Sequence, residues 1–381
     1  MAEQRASLVE EIRLGEHSIS ELCRKYGVSR PTAYKWLERS LLGESMECRS
    51  KAPLKSPLKT SPVIESVILN ARKLHPSWGG RKLKAYLERK GETGLPSAKT
   101  ITAILHRNGM VNHEASLAAR PYKRFEMLNS NDLWQTDFKG DFAMENGGRC
   151  HPLTVIDDRS RFSLCISAKD NERLPGVRDS FMLLFREHGL PKAVLCDNGN
   201  PWGSNLISAY TKFEVFLMDY EVLPIHGRPR HPQTQGKEER FHRTLKNELL
   251  KRVPIMDLTH AQSEIDAFRK LYNEERPHQS LDYAVPADVY MDSERKMPEA
   301  VSEWEYPEGC SVRRVRGNGG LGFKGRDFFF SDAFAGKNVA FMETLEDGCM
   351  DVAYRNFKVA TIDMRNWTFI SRKITRLSKN V

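Results

Sequence analysis

The chain is 381 residues long, more than a single hydrophobic core usually serves, and its 40% of apolar residues can fill the cores of about two to four domains. Its formal net charge of +9 favours a polyanionic partner, although charge alone does not separate nucleic-acid binding from an ordinary basic protein. The seven cysteines are scattered without a C-x-x-C pair, and the chain shows neither a signal peptide nor a long apolar run, so we expect a cytoplasmic protein with no zinc site and no membrane partner.

The first 44 residues predict a helix-turn-helix domain. Apolar residues at helical spacing from 7 to 40 indicate three short helices, and Gly27 interrupts them where a turn is needed. Ser29 is a good N-cap, and Pro31 falls in the first turn, where its missing N–H costs nothing. An ordinary helical hairpin is the alternative to DNA binding. The exposed recognition face would reach a major groove with Arg30, Thr32, Tyr34 and Lys35.

Residues 45–61 are rich in Lys, Ser and Pro and predict a basic, extended linker. DNA contacts are expected from Lys51, Lys55 and Lys59. A second helix-turn-helix domain is predicted over residues 62–118, with one helix to Leu74, the turn HPSWGGRK, a second helix to Lys90, and a third capped by Ser97 and ended by Gly109.

The last of these helices has an apolar face and a polar face. Ile101, Ile104 and Leu105 form its apolar stripe. Its outward positions are Lys99, Thr102, His106 and Arg107, of which Lys99 and Arg107 are the expected DNA contacts. Two such units in tandem are a stronger indication of DNA binding than either alone.

Residues 119–295 change to a mixed pattern that predicts an α/β domain with a mixed sheet. The predicted strands are Leu133–Phe142, Leu153–Asp157, Arg161–Lys169, Ala193–Cys196 and Glu221–Ile225. The predicted helices are Leu174–His188, Asn205–Tyr220 and Lys237–Arg252.

Residues 305–371 predict a small β-barrel, because short β-rich stretches alternate with Gly-containing turns. The clearest strands are Asp327–Phe330, Val339–Glu343 and Met350–Tyr354. This domain could bind DNA, contact a partner or pack on the core. Its cationic residues favour DNA over a solvated face, and they are Arg313, Arg314, Arg316, Lys324 and Arg326.

Three acidic residues in the mixed domain lie where rigid elements would aim them at one point. Asp137, in LWQTDFKGDF, sits inside the first strand, and Asp197, in AVLCDNG, follows a short buried strand at the edge where α/β folds place their sites. Glu239, in QGKEERFHRTLK, begins a helix. Three carboxylates brought together repel one another unless a cation compensates, so their convergence predicts divalent metal.

Magnesium fits this set, since it prefers oxygen ligands and takes only one or two carboxylates per ion. Asp137 would bridge two ions, Asp197 would complete one coordination shell and Glu239 the other. Arg243 and Lys246 lie on the helical face of Glu239 and would steer a phosphodiester toward the metals.

Other acids compete for these roles. Asp197 precedes Asn-Gly and could be a turn former, and the adjacent Glu238 and Glu239 could both be ordinary acids of a helix N-terminus. Spacing alone does not choose between Asp137 and three further aspartates, namely Asp141, Asp157 and Asp158.

Several stretches together carry a resemblance to a known family: LWQTDFKG, VIDDRSRF, LCDNG, RPRHPQTQGKEERFHRTLKNEL and YNEERPHQSL with AVPADVY. With the tandem helix-turn-helix front and the β-rich tail, the chain resembles the integrase-core (DDE) transposases of bacterial insertion sequences, relatives of retroviral integrases. The resemblance implies a ribonuclease-H-like catalytic core.

The resemblance also implies site residues and a cofactor. Asp137, Asp197 and Glu239 align with the catalytic and metal-binding triad, and Glu239 is preferred over Glu238 because the motif's acid directly precedes Arg-Phe-His. Two Mg²⁺ ions, with Mn²⁺ as a substitute, would serve it. DNA contacts near the site are expected from Arg228, Arg230, Lys237, Arg243 and Lys246.

The implied mechanism begins with terminal inverted repeats bound by the helix-turn-helix units. Metal-activated water hydrolyses a strand at the element end, and the freed 3′ hydroxyl attacks target DNA. Two ends must be held together, so a homo-oligomer, at least a dimer, is expected on DNA. The alternatives are a DNA-binding regulator that no longer cuts and a recombinase with a tyrosine or serine nucleophile.

Overall fold

The computed structural model describes residues 2–48, 59–111, 126–197, 199, 201–202, 210–227 and 236–377. They form two compact units, Met1–Thr60 and Ser61–Val381. None of the helices in these ranges combines the length and the apolarity needed to cross a bilayer. Four of the predicted DNA contacts lie outside the described residues: Lys51, Lys55, Arg228 and Arg230.

The first unit contains the three predicted helices, α1 (Ala2–Leu14), α2 (Ile19–Lys25) and α3 (Arg30–Leu41). Their shared core is built on Leu8, Leu22 and Ala33. The Ser29 side chain caps α3 by accepting from the backbone N–H of Thr32, as predicted.

The predicted recognition face lies on α3. Arg30, Tyr34 and Lys35 are exposed, whereas Thr32 is half-buried and its hydroxyl lies 2.9 Å from that of Ser29. Gly27 precedes this helix with φ of +63°, a left-handed conformation that glycine adopts at little cost. Across this turn the Arg30 guanidinium donates to the Ser20 hydroxyl.

The second unit begins with three more helices, α4 (Pro62–Leu74), α5 (Gly80–Arg89) and α6 (Ala98–Arg107). Ile101, Ile104 and Leu105 are buried as predicted. The predicted turn at 75–82 is too long, because α5 already starts at Gly80. A Cβ at Gly80 would lie 2.6 Å from the carbonyl oxygen of Ala98, so this close helix contact requires glycine.

A mixed sheet follows, as predicted. Its strands are β1 (Trp134–Phe138), β2 (Phe142–Ala143), β3 (Arg149–Asp157), β4 (Ser163–Lys169), β5 (Ala193–Cys196) and β6 (Leu223–His226). The order is β4-β3-β1-β5-β6, with β2 beside β3. Strands β1, β5 and β6 run parallel, and β3 is antiparallel to β1 and β4.

The predicted continuous strand from Leu133 to Phe142 is wrong, because it is interrupted after Phe138. Phe138 pairs with Leu153 and Phe142 with Cys150, so a step of four residues on one strand faces a step of three on its neighbour. Gly140, with φ of +80°, lies within this bulge.

Helices cover both faces of the sheet. They are α7 (Leu174–His188), α8 (Lys212–Asp219), α9 (Gly236–Leu245), α10 (Leu258–Glu274) and α11 (Pro286–Val289). Phe181 of α7 and Phe213 of α8 pack on one face with Trp134, while Phe241 of α9 and Phe268 of α10 belong to a separate cluster with Ile156. The helix predicted over Lys237–Arg252 changes to a π-helical turn at Lys246–Leu250.

The C-terminal domain contains the predicted strands but not the predicted closure. Its strands are β7 (Ser311–Arg314), β8 (Gly320–Phe323), β9 (Arg326–Phe329), β10 (Asn338–Glu343), β11 (Cys349–Tyr354), β12 (Phe357–Asp363), β13 (Thr368–Ser371) and β14 (Thr375–Arg376). Five form the path β13-β12-β11-β10-β7, β14 pairs with β12, and β8 and β9 form a separate pair. Among the described strands the sheet stays open, so the β-barrel prediction is not confirmed.

A buried ion pair of the mixed-sheet domain also accepts hydrogen bonds from the second helical group. Glu248, on the π-helical turn after α9, accepts from the Ser77 hydroxyl at 2.8 Å and the Trp78 indole N–H at 3.3 Å. Arg276 donates to the same carboxylate from Nη2 at 3.1 Å, and both side chains are about nine-tenths buried. Burial raises the pKa of Glu248, but Arg276 and Ser77 outweigh it and lower that pKa.

We predict that Glu248→Ala lowers the free energy of unfolding by about 3–5 kcal/mol, because it leaves Arg276 buried without its partner. Glu88→Ala is the control, since its partner Lys84 forms an exposed pair of the kind worth less than about 1 kcal/mol. Urea denaturation measures both. Equal, small losses in the two variants would show that the Glu248 contact does not hold the helices to the domain.

Candidate active site

Asp137 lies on the central strand of the mixed sheet and points away from the main core. Its neighbours Trp134 and Phe138 face α7 and α8, and side chains alternate along a strand, so Asp137 faces the side that carries α9. It pairs directly with Thr154 on β3. The pairing of β1 with β3 therefore fixes the backbone from which this carboxylate projects.

The surroundings of Asp137 strongly disfavour the ionised form of its carboxyl group. Burial raises its pKa most, the negative charge of Asp197 adds to this, and Glu172 and Glu239 contribute, so the pKa reaches about 7. The Phe138 backbone N–H opposes the shift. The carboxylates of Asp197 and Glu239 are therefore close enough to Asp137 to act on it electrostatically.

Asp197 directly follows β5, at the carboxyl end of the parallel strands, and its side chain is exposed. Its backbone oxygen accepts a hydrogen bond from Nδ1 of His226 at 3.0 Å. Nε2 of His226 lies 3.0 Å from Oε1 of Glu214 on α8. Burial lowers the pKa of His226, but Glu214 and the Asp197 carbonyl outweigh it, so that pKa is raised.

Glu239 and Glu238 both lie in the first turn of α9 but differ in surroundings. Glu239 is exposed, whereas Glu238 is 1% exposed and its Oε2 lies 3.2 Å from the Thr154 hydroxyl. Its Oε1 has no hydrogen-bond partner among the described residues. Burial, followed by the charge of Asp137, raises the pKa of Glu238 well above its usual value.

His242 of α9 lies beside Asp137 and Thr154 on the buried side of the site. Its Nε2 lies 2.8 Å from the Thr154 hydroxyl, and its Nδ1 lies 4.0 Å from Oδ2 of Asp137. Burial lowers its pKa to about 4, and Lys139 adds to the shift. The ring is therefore neutral near pH 7.

The three competing aspartates have structural partners. Asp141 is ion-paired with Arg149, and buried Asp157 accepts from the backbone N–H of Asn131 at 2.8 Å and the Ser160 hydroxyl at 2.7 Å. Their carboxylates are thus held in local contacts within the domain.

Buried Asp158 accepts from Gln135 at 2.6 Å and from Lys237 at 2.5 Å. Its partner Lys237 was predicted to contact DNA, but its side chain is only 16% exposed and its pKa is lowered, mainly by burial. This lysine holds the start of α9 to the loop after β3.

Two lysines flank the carboxylates. Lys246 is exposed, and together with burial it lowers the pKa of half-buried Lys139. Exposed Arg243 lies between Glu239 and Lys246 on the same stretch of helix. Lys139 was not predicted from the sequence, although its position two residues after Asp137 puts it on the same side of the extended chain. His226, Glu214 and His242 were missed as well.

The donor set fits a divalent cation. Asp137, Asp197 and Glu239 provide only carboxylate oxygens, which suit magnesium, and a cation would relieve the repulsion that raises the pKa of Asp137. Within the described ranges, no three His, Cys, Asp or Glu side chains lie close enough together to hold an ion. Metal binding would therefore have to draw the three side chains nearer to one another.

The raised pKa of Asp137 predicts a specific pH dependence for the metal-free protein. The folded state retains a proton that the unfolded chain releases above about pH 4, so this stabilisation is complete at low pH and lost as pH rises through about 7. Asp137→Asn removes the effect. Relative to wild type, the variant should gain roughly 2–4 kcal/mol of unfolding free energy between pH 4 and pH 8.

Denaturation in chelator-containing buffers across this pH range measures the difference. Asp141→Asn is the control, because that exposed carboxylate already has its Arg149 partner. A constant difference between Asp137→Asn and wild type at every pH would contradict the described surroundings of Asp137.

Comparison with protein-family models gives four matches along the chain. They are a helix-turn-helix domain at residues 4–40, an integrase core domain at 128–232 and, in a second model, at 220–286, and the IS481 family transposase C-terminal domain at 310–369. The mixed-sheet domain is thus the ribonuclease-H-like integrase core. The helix-turn-helix match implies DNA binding.

Curated relatives come from insertion elements. The chain is 25% identical over 306 residues to the insertion element IS476 uncharacterized 39.2 kDa protein of Xanthomonas euvesicatoria, covering 71% of this chain and 84% of that protein. It is 27% identical over 229 residues to transposase InsD for insertion element IS2A/D/F/H/I/K of Escherichia coli, covering 56% and 73%.

Solved structures that resemble the chain come from retroviral integrases. The HTLV-2 integrase catalytic core domain in complex with magnesium has 18% identity and a TM-score of 0.35, covering 43% of this chain and 99% of that one. A chain of the simian T-cell lymphotropic virus intasome has 15% identity and a TM-score of 0.39, covering 81% and 98%. The family matches give this chain an integrase core domain and an IS481 family transposase C-terminal domain, and its curated relatives are proteins of insertion elements.

Proposed function

We propose that the chain is a DDE transposase that binds the terminal inverted repeats of its element, hydrolyses strands at the element ends and joins the 3′ hydroxyls to target DNA. The observation that carries this proposal is the position of Asp137. A rigid central strand holds it under α9, where burial and the charges of Asp197 and Glu239 raise its pKa to about 7. A bound cation would offset both the burial of this carboxylate and its repulsion by the other acids, as a metal-dependent phosphoryl-transfer site requires.

Asp137, Asp197 and Glu239 would hold two Mg²⁺ ions, with Mn²⁺ as a substitute. When bound, such a pair of ions stabilises the attacking and leaving oxygens of an in-line displacement. Neighbouring residues orient Asp137. Thr154 fixes the backbone of Asp137 through a 2.9 Å hydrogen bond to its carbonyl oxygen, and neutral His242 fills the inner wall without adding charge.

Lys139, Lys246 and Arg243 would bind the phosphates on either side of the scissile bond, because they are the cations that flank the carboxylates. Farther along the chain, exposed Lys99 on α6 would bind DNA, whereas Arg107 on the same helix is already ion-paired with Glu65. Exposed Lys59 lies in the predicted linker.

Transposition joins two element ends to one target, so we propose that the protein acts as a homo-oligomer, at least a dimer, on double-stranded DNA in the bacterial cytoplasm. The recognition face of α3 would read the repeats through Arg30, Tyr34 and Lys35, which are exposed.

The catalytic assignment predicts the effect of three isosteric changes. Asp137→Asn, Asp197→Asn and Glu239→Gln should each abolish strand cleavage and strand transfer on native element ends in Mg²⁺, because each removes a negatively charged metal ligand. Binding of the ends should be unchanged. Gel assays of cleavage and of binding on the same DNA measure both.

The matched controls are Asp141→Asn and Glu238→Gln. The first changes an exposed, ion-paired acid and should retain cleavage. The second tests whether the neighbouring buried glutamate is the true ligand. Loss of cleavage in Glu238→Gln together with full activity in Glu239→Gln would assign the third carboxylate to Glu238.

The recognition helix is tested by Lys35→Ala. If Lys35 neutralises one phosphate, the change should weaken binding to the element ends and reduce the slope of log affinity against log salt by about 0.9. Lys25→Ala is the control, because Lys25 is already paired with Glu11 in the same domain. An unchanged salt slope in Lys35→Ala would remove this residue from the DNA interface.

A further inference from the structure

We propose that His226 and Glu214 are positioning residues for Asp197, and that the C-terminal sheet keeps them in place by clamping helix α8. This inference rests on the proposed function, since it concerns how one ligand of the metal site is held. It also gives the C-terminal domain a role in supporting the active site through helix α8, in addition to any contact with DNA.

The first link is the hydrogen bond from His226 to Asp197. Strand β5 ends at Cys196, so the carbonyl of Asp197 lies just beyond the regular ladder with β6. A carbonyl oxygen only accepts, so Nδ1 of His226 donates to it across 3.0 Å. The next residue, Gly227, donates its N–H to the Cys196 carbonyl at 3.3 Å. The end of β6 thereby fixes the backbone direction from which the Asp197 side chain departs.

The second link is the carboxylate of Glu214, which is only 6% exposed. Its Oε1 lies 3.0 Å from Nε2 of His226. Its Oε2 accepts from the Thr211 backbone N–H at 2.6 Å and from the Thr211 hydroxyl at 3.0 Å, forming the capping box of α8. Both oxygens are used, so the position of His226 follows the position of α8.

The third link is the burial of α8 between two hydrophobic cores. Phe213 and Leu217 belong to the core of the mixed-sheet domain, while Val215 and Met218 belong to the cluster of the C-terminal sheet. An eight-residue helix has little stability of its own, so these two packing faces determine where it lies.

Polar contacts complete the clamp at the end of α8. Asp219 accepts from Lys337 Nζ at 2.7 Å and from the hydroxyl of Tyr354, both on the C-terminal domain. Before the helix, the Tyr210 hydroxyl donates to the carbonyl of Val359. The C-terminal sheet therefore contacts both ends of the helix that carries Glu214.

The test removes the His226 link and then restores it. In His226→Ala no side chain reaches the Asp197 carbonyl, whereas the amide nitrogen of His226→Asn occupies the place of Nδ1. We expect His226→Ala to raise the Mn²⁺ concentration for half-maximal cleavage by about 10–100-fold, the usual effect of losing an outer partner of a metal ligand. His226→Asn should recover most of this loss, and affinity for element ends should match wild type in both.

A second readout does not depend on cleavage. Mn²⁺ should raise the Tm of the full-length wild type and of His226→Asn, and the rise should be much smaller in His226→Ala. The control is His188→Ala, which removes another buried histidine bonded to an acid, with Nδ1 2.9 Å from Asp292. It should lower the metal-free Tm without changing the Mn²⁺ response.

The outcomes separate this inference from the proposed function. If wild type cleaves DNA and His226→Ala shows the wild-type Mn²⁺ midpoint, the positioning role is wrong and the transposase proposal stands. If wild type never cleaves, the transposase proposal fails, and the Mn²⁺-induced Tm rise still decides whether His226 supports the metal site.

The clamp is tested by Asp219→Asn, which weakens the contacts with Lys337 and Tyr354. It should raise the Mn²⁺ midpoint in the same direction as His226→Ala. Asp327→Asn is the matched control, since its exposed pair with Arg316 lies within the C-terminal domain and away from α8. Equal midpoints in Asp219→Asn, Asp327→Asn and wild type would show that the C-terminal sheet does not support Asp197.

Discussion

Burial of the Asp137 carboxylate, together with the negative charges of nearby acids, is the constraint that defines the proposed site. A carboxylate on a central strand that is largely buried and feels the negative charges of Asp197, Glu172 and Glu239 is costly unless it is protonated or a cation is bound. Three of these acids lie on different elements: Asp137 on β1, Asp197 just after β5, and Glu239 in the first turn of α9. Because no three such side chains are close enough to hold an ion among the described residues, a bound cation would have to draw these carboxylates together.

Within the unit Ser61–Val381, the second helical group and the C-terminal sheet contact elements that carry the acids. Helix α9, which carries Glu239 in its first turn, continues into the π-helical turn, where Glu248 bonds to Arg276 and to Ser77 of the second helical group. Helix α8, which reaches Asp197 through His226, lies between the core and the C-terminal sheet. The second helical group and the C-terminal sheet therefore pack against elements that position these acids.

Local pattern predicted local structure well. Helix α7 and strand β5 have the predicted bounds, because strong periodicity and flanking turn residues define both. The places of Asp137, Asp197 and Glu239 on a strand, after a strand and on a helix were also predicted, while their catalytic roles stay proposals. Contacts between distant elements were not predictable: the bulge at Gly140 and the open C-terminal sheet depend on pairing register, and the Glu214–His226 link depends on which face of α8 is buried.

A crystal structure of the protein grown with Mn²⁺ and element-end DNA tests whether Asp137, Asp197 and Glu239 converge on metal. Anomalous scattering should reveal two Mn²⁺ ions about 4 Å apart, with Asp137 bridging them. Ions bound elsewhere, or these three carboxylates still separated with no manganese between them, would contradict the account.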